Sequence, residues 1–245
     1  TNAVAAAGSV TITADGVLRV QSALADGDAG SDLTLRTSTG GIQIDAGTAD
    51  GSVSVTADSG DVDLGRLEAG AGLISVIATS GAIRDLLDGA EENLVAGDFV
   101  DLTARDGIGG VSPAGATLDT AARLELRGGT DLRARVTGPG DIVIAAPTDD
   151  SLDDADGTSL TIVGDLLLTS LATNDGVIDV LAGGSIDARA VRAVGDDAVT
   201  LTAGSDVSIT GTVSAGDAGE ILIDAIAGSL SVNGVVETGA AGSIE

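Results

Sequence analysis

Five aspartates crowd the stretch "APTDDSLDDADGTSL", residues 146–160: Asp149, Asp150, Asp153, Asp154 and Asp156. Clustered carboxylates are hard oxygen ligands of the kind that hold Ca²⁺. The spacing is not that of an EF-hand. With Gly157 at the turn position, the first ligand position falls on Leu152 and the last on Val163. The nonapeptide Gly-Gly-x-Gly-x-Asp calcium repeat is also missing. Two readings therefore stand for this acidic loop: a calcium site, or a solvated insertion on the outside of its scaffold. "DGDAGSD", Asp26 to Asp32, is a thinner version of the same pattern. Calcium is the only cofactor these residues imply.

Catalysis is limited by subtraction. The chain has no His and no Cys, which removes Ser–His–Asp and Cys–His arrangements, disulfides and thiolate metal sites together. All eleven basic residues are Arg, so neither a Schiff base nor a Lys–Asn isopeptide bond can form. Paired carboxylates or an Arg base could still act on a polysaccharide, but the chain has a single aromatic residue, Phe99, to place under a sugar ring. The expectation is a non-catalytic protein. "GIGG", Gly107 to Gly110, is followed by no Lys and opens no helix, so it reads as a tight corner rather than a phosphate cradle. Arg123, Arg127, Arg133 and Arg135 form one basic cluster, and Arg133 and Arg135 flank Ala134 in the manner of a strand face turned to neighbouring Asp. Thr-x-Thr pairs at Thr11/Thr13, Thr37/Thr39, Thr200/Thr202 and Thr210/Thr212 raise ice binding. They do not recur at one place in each repeat, and outward Thr is a good strand residue in any case.

The charge balance narrows the partners. The 38 acidic residues leave a formal net charge of −27. Such a surface repels nucleic acid and offers no polybasic patch to anionic lipid. No apolar run reaches the ~18–20 residues of a membrane helix, and no membrane insertion is expected. At 43% hydrophobic residues the chain is nevertheless a folded one.

Its elements follow from a repeat. Apolar pairs at i and i+2 recur at Val10/Ile12, Leu33/Leu35, Val53/Val55, Ile74/Val76, Val100/Leu102 and Leu124/Leu126, and on through Ile142/Ile144, Leu160/Ile162, Ile178/Val180, Val199/Leu201 and Ile221/Ile223. A twelfth begins at Ile244. The mean spacing of about 21 residues lies in the solenoid range. A second apolar point follows eight or nine residues later, as at Ile42, Val62, Ile83, Ile108, Ile186 and Val207; Leu166 comes sooner. A third, shorter one falls at Leu24, Leu67, Val136, Leu171, Val191, Val213 and Val235. Gly, Asp, Asn and Ser fill the corners between them. Alternation at period two turns one side of each strand inward. Three short strands and three corners per turn make a coil, and coils stacked at about 4.8 Å give a rod of roughly 50–55 Å. The predicted fold is an all-β, right-handed parallel β-helix of about 11–12 coils of about 21 residues. Its tube is too thin for aromatic rings.

Residues 1–245 read as a single β-helix segment, with longer, irregular coils at 81–126 and the acidic loop at 146–160. Neither end carries the polar cap of a finished solenoid. The expectation is a slice of a longer rod whose exposed edges are covered by adjoining coils of the same parent chain.

The stretch Asp197 to Ala215, with its "VTLTAGSDVSITGTVSA" pattern, resembles the β-helix shafts of filamentous haemagglutinin-like exoproteins. "GAIRD…LVAGDFVDLTARDGIGG…LDTAARLELRG", Gly81 to Gly128, is similar to a recurrent module of giant bacterial surface proteins. The resemblance covers essentially the whole chain and carries no catalytic motif. It implies a secreted or cell-surface adhesin shaft, whose partners are a host or neighbouring cell surface, matrix, or the protein itself. The alternative, from another class, is a self-assembling extracellular filament, sheath or surface-layer component.

Overall fold

The computed structural model describes residues 2–5, 8–27, 30–87, 93–109, 124–125, 130–136, 142–146, 166–173, 178–182, 184–194 and 198–245. Within them the chain is a β-solenoid built of parallel strands, with no helix. One wall is an 11-stranded sheet. It begins Val10–Ala14, Leu33–Thr37, Val53–Ala57, Ile74–Ala78 and Phe99–Ala104. It continues through Thr130–Val136, Leu166–Thr173, Ile186–Ala193 and Val207–Ser214 to a last rung of Leu230–Val232 and Val235–Glu237. The opposite wall is drawn as two sheets. The first runs from Asn2–Ala5 to Ile83–Asp85, and the second from Leu124–Glu125 to Ser243–Ile244. Ile108 joins them by parallel bridges to Ile83 on one side and Ile142 on the other.

Burial follows the alternation that was legible in the residues. Val53–Ala57, Ile74–Ala78 and Val199–Ala203 are buried at every odd position of the strand and half-buried between. β-Branched side chains suit such a half-buried pleat. The interior is a single column of Val, Ile, Leu and Ala, among them Leu33, Ile44, Leu64, Ile83, Leu102 and Ile108. Phe99 is only half-buried, at the start of its strand.

Two of the three expected faces are drawn as one bent strand. In Ile42–Ala49, residues 42 and 44 point in, 45 and 46 point out, and 47 and 49 point in again. The same break in alternation recurs in Ile186–Ala193, where the register shifts between Ala188 and Ala190. The third inward point holds at Leu67, Leu171, Val191 and Val213. At Leu24 it does not: Ala23 and Ala25 are buried while Leu24 faces out beside Thr48. Above Ala23 lie Gly47 and then Leu67. A side chain on Gly47 would meet Ile44, Leu67 and Leu33 at 2.8–3.0 Å, so small residues on two rungs make room for the large one on the third. Val235 and Leu230, on the last rung, are 49% exposed. The side chain of Val136 lies outside the described residues.

The coil count also differs. Where the rhythm holds, coils lie about 22 residues apart, and about seven turns keep it. The larger expectation of 11–12 took every apolar pair for a coil of its own. Ile142 and Ile144 pair with Ile178 and Val180 along one edge of their strand. Along the other edge they pair with Ile108 and Leu124, which therefore share one rung. Ile142 pairs directly with Ile178; Leu160/Ile162 lie outside the described residues. The merger at Ile108 and Leu124 has a consequence for the whole rod. Before it, the short strands build the 11-stranded wall and the long bent strands the opposite one. After it, the two kinds of strand exchange walls.

Candidate functional site

Asp149, Asp150, Asp153, Asp154 and Asp156 lie outside the described residues, as does the acidic loop beyond Ala146. Among the described residues no group of three acidic side chains is placed to hold a metal ion. Many described aspartates have a different task. Asp32 accepts the backbone N–H of Ser52 (2.8 Å), Asp61 that of Ala82 (2.9 Å) and Asp206 that of Ser229 (2.7 Å). In each case the donor stands about one coil further on, just before a strand. A carboxylate accepting a backbone N–H makes a strong, short hydrogen bond, so these residues pin corner to corner along the rod. Asp50 reaches the other way, accepting the N–H of Gly27, about one coil earlier, at 3.0 Å. Asp32 thus has a structural role within the "DGDAGSD" stretch.

"GIGG" is a corner. Gly107 and Gly109 take φ of 131° and 67°, a left-handed backbone that glycine adopts without penalty. Ile108 between them is fully buried, and the backbone exchanges hydrogen bonds with Ile83 through Gly107 and Gly109 (3.0 and 2.9 Å). Arg133 and Arg135 stand in register with Asp101 and Thr103 on either side of buried Ala134; Arg123 and Arg127 lie outside the described residues. Thr11/Thr13, Thr200/Thr202 and Thr210/Thr212 fall on three different strands, whereas Thr39 lies in the bend after Leu33–Thr37; Thr37 points inward, its hydroxyl donating to the Gly40 carbonyl at 2.6 Å.

Two features escaped the sequence reading. The first is a buried polar pair. After Ile83–Asp85 the long strand breaks, and it resumes at Leu94–Ala96. Asp85, 6% exposed, accepts the N–H of Leu87 (2.8 Å) and the side-chain amide of Asn93 (2.7 Å). Asn93 is wholly buried and its amide also reaches the carbonyls of Leu64 and Gly65, both at 3.1 Å. The Leu64 carbonyl also accepts the backbone N–H of Leu86 at 2.8 Å, so Asn93 adds a second donor there and supplies one to Gly65 beside the break in the strand.

The second is a groove on the outside of the opposite wall. Arg19, Gln43, Asp63 and Arg84 are successive partners in one ladder, one residue per coil. Arg84 donates to Asp63 at 2.7 Å and to Asp61 at 2.8 Å, with its side chain only 18% exposed. Beside this column the corners are glycines. A side chain on Gly41 would strike the Asp61 carbonyl oxygen at 2.6 Å, and one on Gly60 the Gly41 nitrogen at 2.8 Å. A hollow of about 270 Å³ results, bounded by Val17, Arg19, Gln43, Asp61, Asp63 and Arg84. It adjoins a second of about 320 Å³ that shares Arg19 and Gln43 and ends at Asp45. A third hollow, of about 510 Å³, lies near the last rung between Arg192, Ser214 and Glu237.

Comparison with protein-family models, with curated proteins and with solved structures found no match.

Proposed function

We propose that the chain is a non-catalytic shaft segment of a large secreted or cell-surface bacterial adhesin. The observation behind this reading is the 11-stranded wall, in which parallel rungs follow one another from Val10 to Glu237 and each coil packs on the next. Such a stack is a stiff spacer, because each rung is held by its two neighbours and by a continuous apolar column. The composition points the same way: no His, Cys or Lys, and a net charge of −27 that keeps rods apart in solution. Fold alone does not make an adhesin; that part of the reading rests on the resemblance to filamentous haemagglutinin-like shafts.

Small-angle scattering and negative-stain microscopy of the purified chain test it. Monodisperse rods that attach to cells or glycans support the shaft. Rods that grow end to end into filaments replace it with a self-assembling filament, sheath or surface-layer component. Turnover of an acidic polysaccharide would overturn both.

A further inference from the structure

We infer that the groove along Arg19, Gln43, Asp63 and Arg84 binds a neutral, extended oligosaccharide lying parallel to the rod axis. The inference goes beyond the shaft reading and does not depend on it. Charge is the first argument. The chain carries eleven arginines against 38 acidic residues, yet two of the eleven, Arg19 and Arg84, border this groove beside Asp61 and Asp63, with Asp45 at its far end accepting from the Gln43 amide at 3.3 Å. Its lining is much nearer to neutral than a protein of net charge −27, so it suits an uncharged ligand.

The donors and acceptors are the second argument. A guanidinium, a carboxamide and carboxylates present planar groups that can engage vicinal hydroxyls two at a time. Arg84 is already held by two carboxylates, and the glycine corners leave backbone rather than side chains as the floor, so little ordering remains for binding to supply. Val17, 66% exposed at one end of the groove, offers apolar surface to the C–H face of a sugar where the chain has no aromatic ring to do so.

Register is the third. The four polar side chains repeat once per coil, at the rung spacing of about 4.8 Å, which is close to the ring-to-ring repeat of an extended β-linked pyranose chain. Hydroxyls of successive rings then meet successive rungs. Sites so shallow bind weakly one at a time, and a rod that displays them gains by multivalency.

The test uses the full chain, ¹⁵N-labelled, titrated with cellohexaose and separately with maltohexaose, whose α-linked chain coils and loses the register. Cellohexaose is expected to shift the side-chain amide of Gln43 and the backbone amides of Val17 and Arg19. The double variant Arg19→Ala, Gln43→Ala, both outward positions, is expected to weaken binding about tenfold or more while melting as the parent does. No shift with cellohexaose, shifts elsewhere on the rod, an unaltered affinity in the double variant, or an equal response to maltohexaose would each overturn the assignment. A silent groove leaves the shaft reading standing, whereas filaments in the microscope remove the shaft reading and leave the groove.

Discussion

Val100 and Leu132 are direct partners in one ladder, although one belongs to a short strand and the other to a long one. From Val10 to Val100 the 11-stranded wall is made of short strands of the "VTITA" type, and from Leu132 onward it is made of long ones. The exchange happens because Ile108 and Leu124 occupy a single rung of the opposite wall. Half a coil is lost there, yet the apolar column is not interrupted: Ile83, Ile108 and Ile142 lie one above the other, each fully buried. The register shift between Leu132 and Arg133, where Thr130–Val136 meets Leu166–Thr173, is where the bend of the long strands first enters this wall.

Ile108 is therefore the residue whose loss should uncouple the two halves. Truncating a fully buried Ile removes its transfer energy and leaves a cavity, together about 2–5 kcal/mol. Stability in a solenoid is carried by contacts between neighbouring coils. Ile108→Ala should lower the urea midpoint and split one unfolding transition into two. Ile226→Ala, at a site 67% exposed, should stay within about 0.5 kcal/mol of the parent. Equal midpoints for both variants would mean that the bridge at Ile108 joins nothing.

Asn93 closes the break between Ile83–Asp85 and Leu94–Ala96. Asn93→Ala takes a donor from the buried Asp85 carboxylate and from the Gly65 carbonyl, and should cost about 2–3 kcal/mol. Asn93→Asp is the sharper test. It sets two carboxylates against each other in a site sheltered from water, so the pair holds a proton more tightly folded than unfolded. A group whose folded affinity for protons is raised stabilises the fold at low pH and loses that contribution as pH rises. The variant should therefore be nearer the parent at about pH 5 than at about pH 8. Denaturation at the two values decides it, and a deficit independent of pH would rule out the contact with Asp85.

Most of the rod was legible because each coil advertises itself. Leu33/Leu35, Val53/Val55 and Val199/Leu201 have Gly, Asp or Ser corners on both sides and alternate cleanly, so period and burial coincide. The exchange of walls was not legible. The first half of a long strand, such as Val207–Ile209, carries the same apolar-x-apolar signal as a short strand, and nothing local says which wall it joins. Leu24 misled for another reason. The interior volume is shared between rungs, so Ala23 can point inward because Leu67 fills the space two rungs above. The groove was invisible in principle: Arg19, Gln43, Asp63 and Arg84 are common residues about one coil apart, and only the register brings them together.

The glycines of the bent strand are a further point where structure overrides composition. A β-carbon on Gly211 would land on the carbonyl oxygen of Arg189 in the rung below, and backbone cannot yield there without breaking the ladder. Gly211→Ala should cost about 2–3 kcal/mol. Gly16 has nothing within 4 Å of the same position and no left-handed φ, so Gly16→Ala should be neutral or stabilise by up to about 1 kcal/mol through the unfolded state. Thermal melts of the two variants read the difference directly. Equal melting temperatures would mean that the coils do not pack this closely at the bend.

The corner aspartates offer the last prediction, because they separate what a carboxylate does by shape from what it does by charge. Asp206 accepts the N–H of Ser229 at 2.7 Å, and the same contact recurs from Asp32 to Ser52 and from Asp61 to Ala82. Asp206→Ala leaves that N–H to water and should cost about 1 kcal/mol, the usual loss for such a cap. Asp206→Asn keeps an acceptor oxygen in place and removes one negative charge from a chain of net charge −27. It trades a charge-assisted hydrogen bond for a neutral one while easing self-repulsion, so it should recover most of what Ala loses. Salt separates the two contributions. Screening weakens repulsion but not the hydrogen bond, so the gap between Asn and Ala should persist at high ionic strength. Asn and Ala both lack the charge, so if the two variants are equally stable at every ionic strength, these aspartates act through charge alone and the corner-to-corner hydrogen bond contributes nothing to the rod.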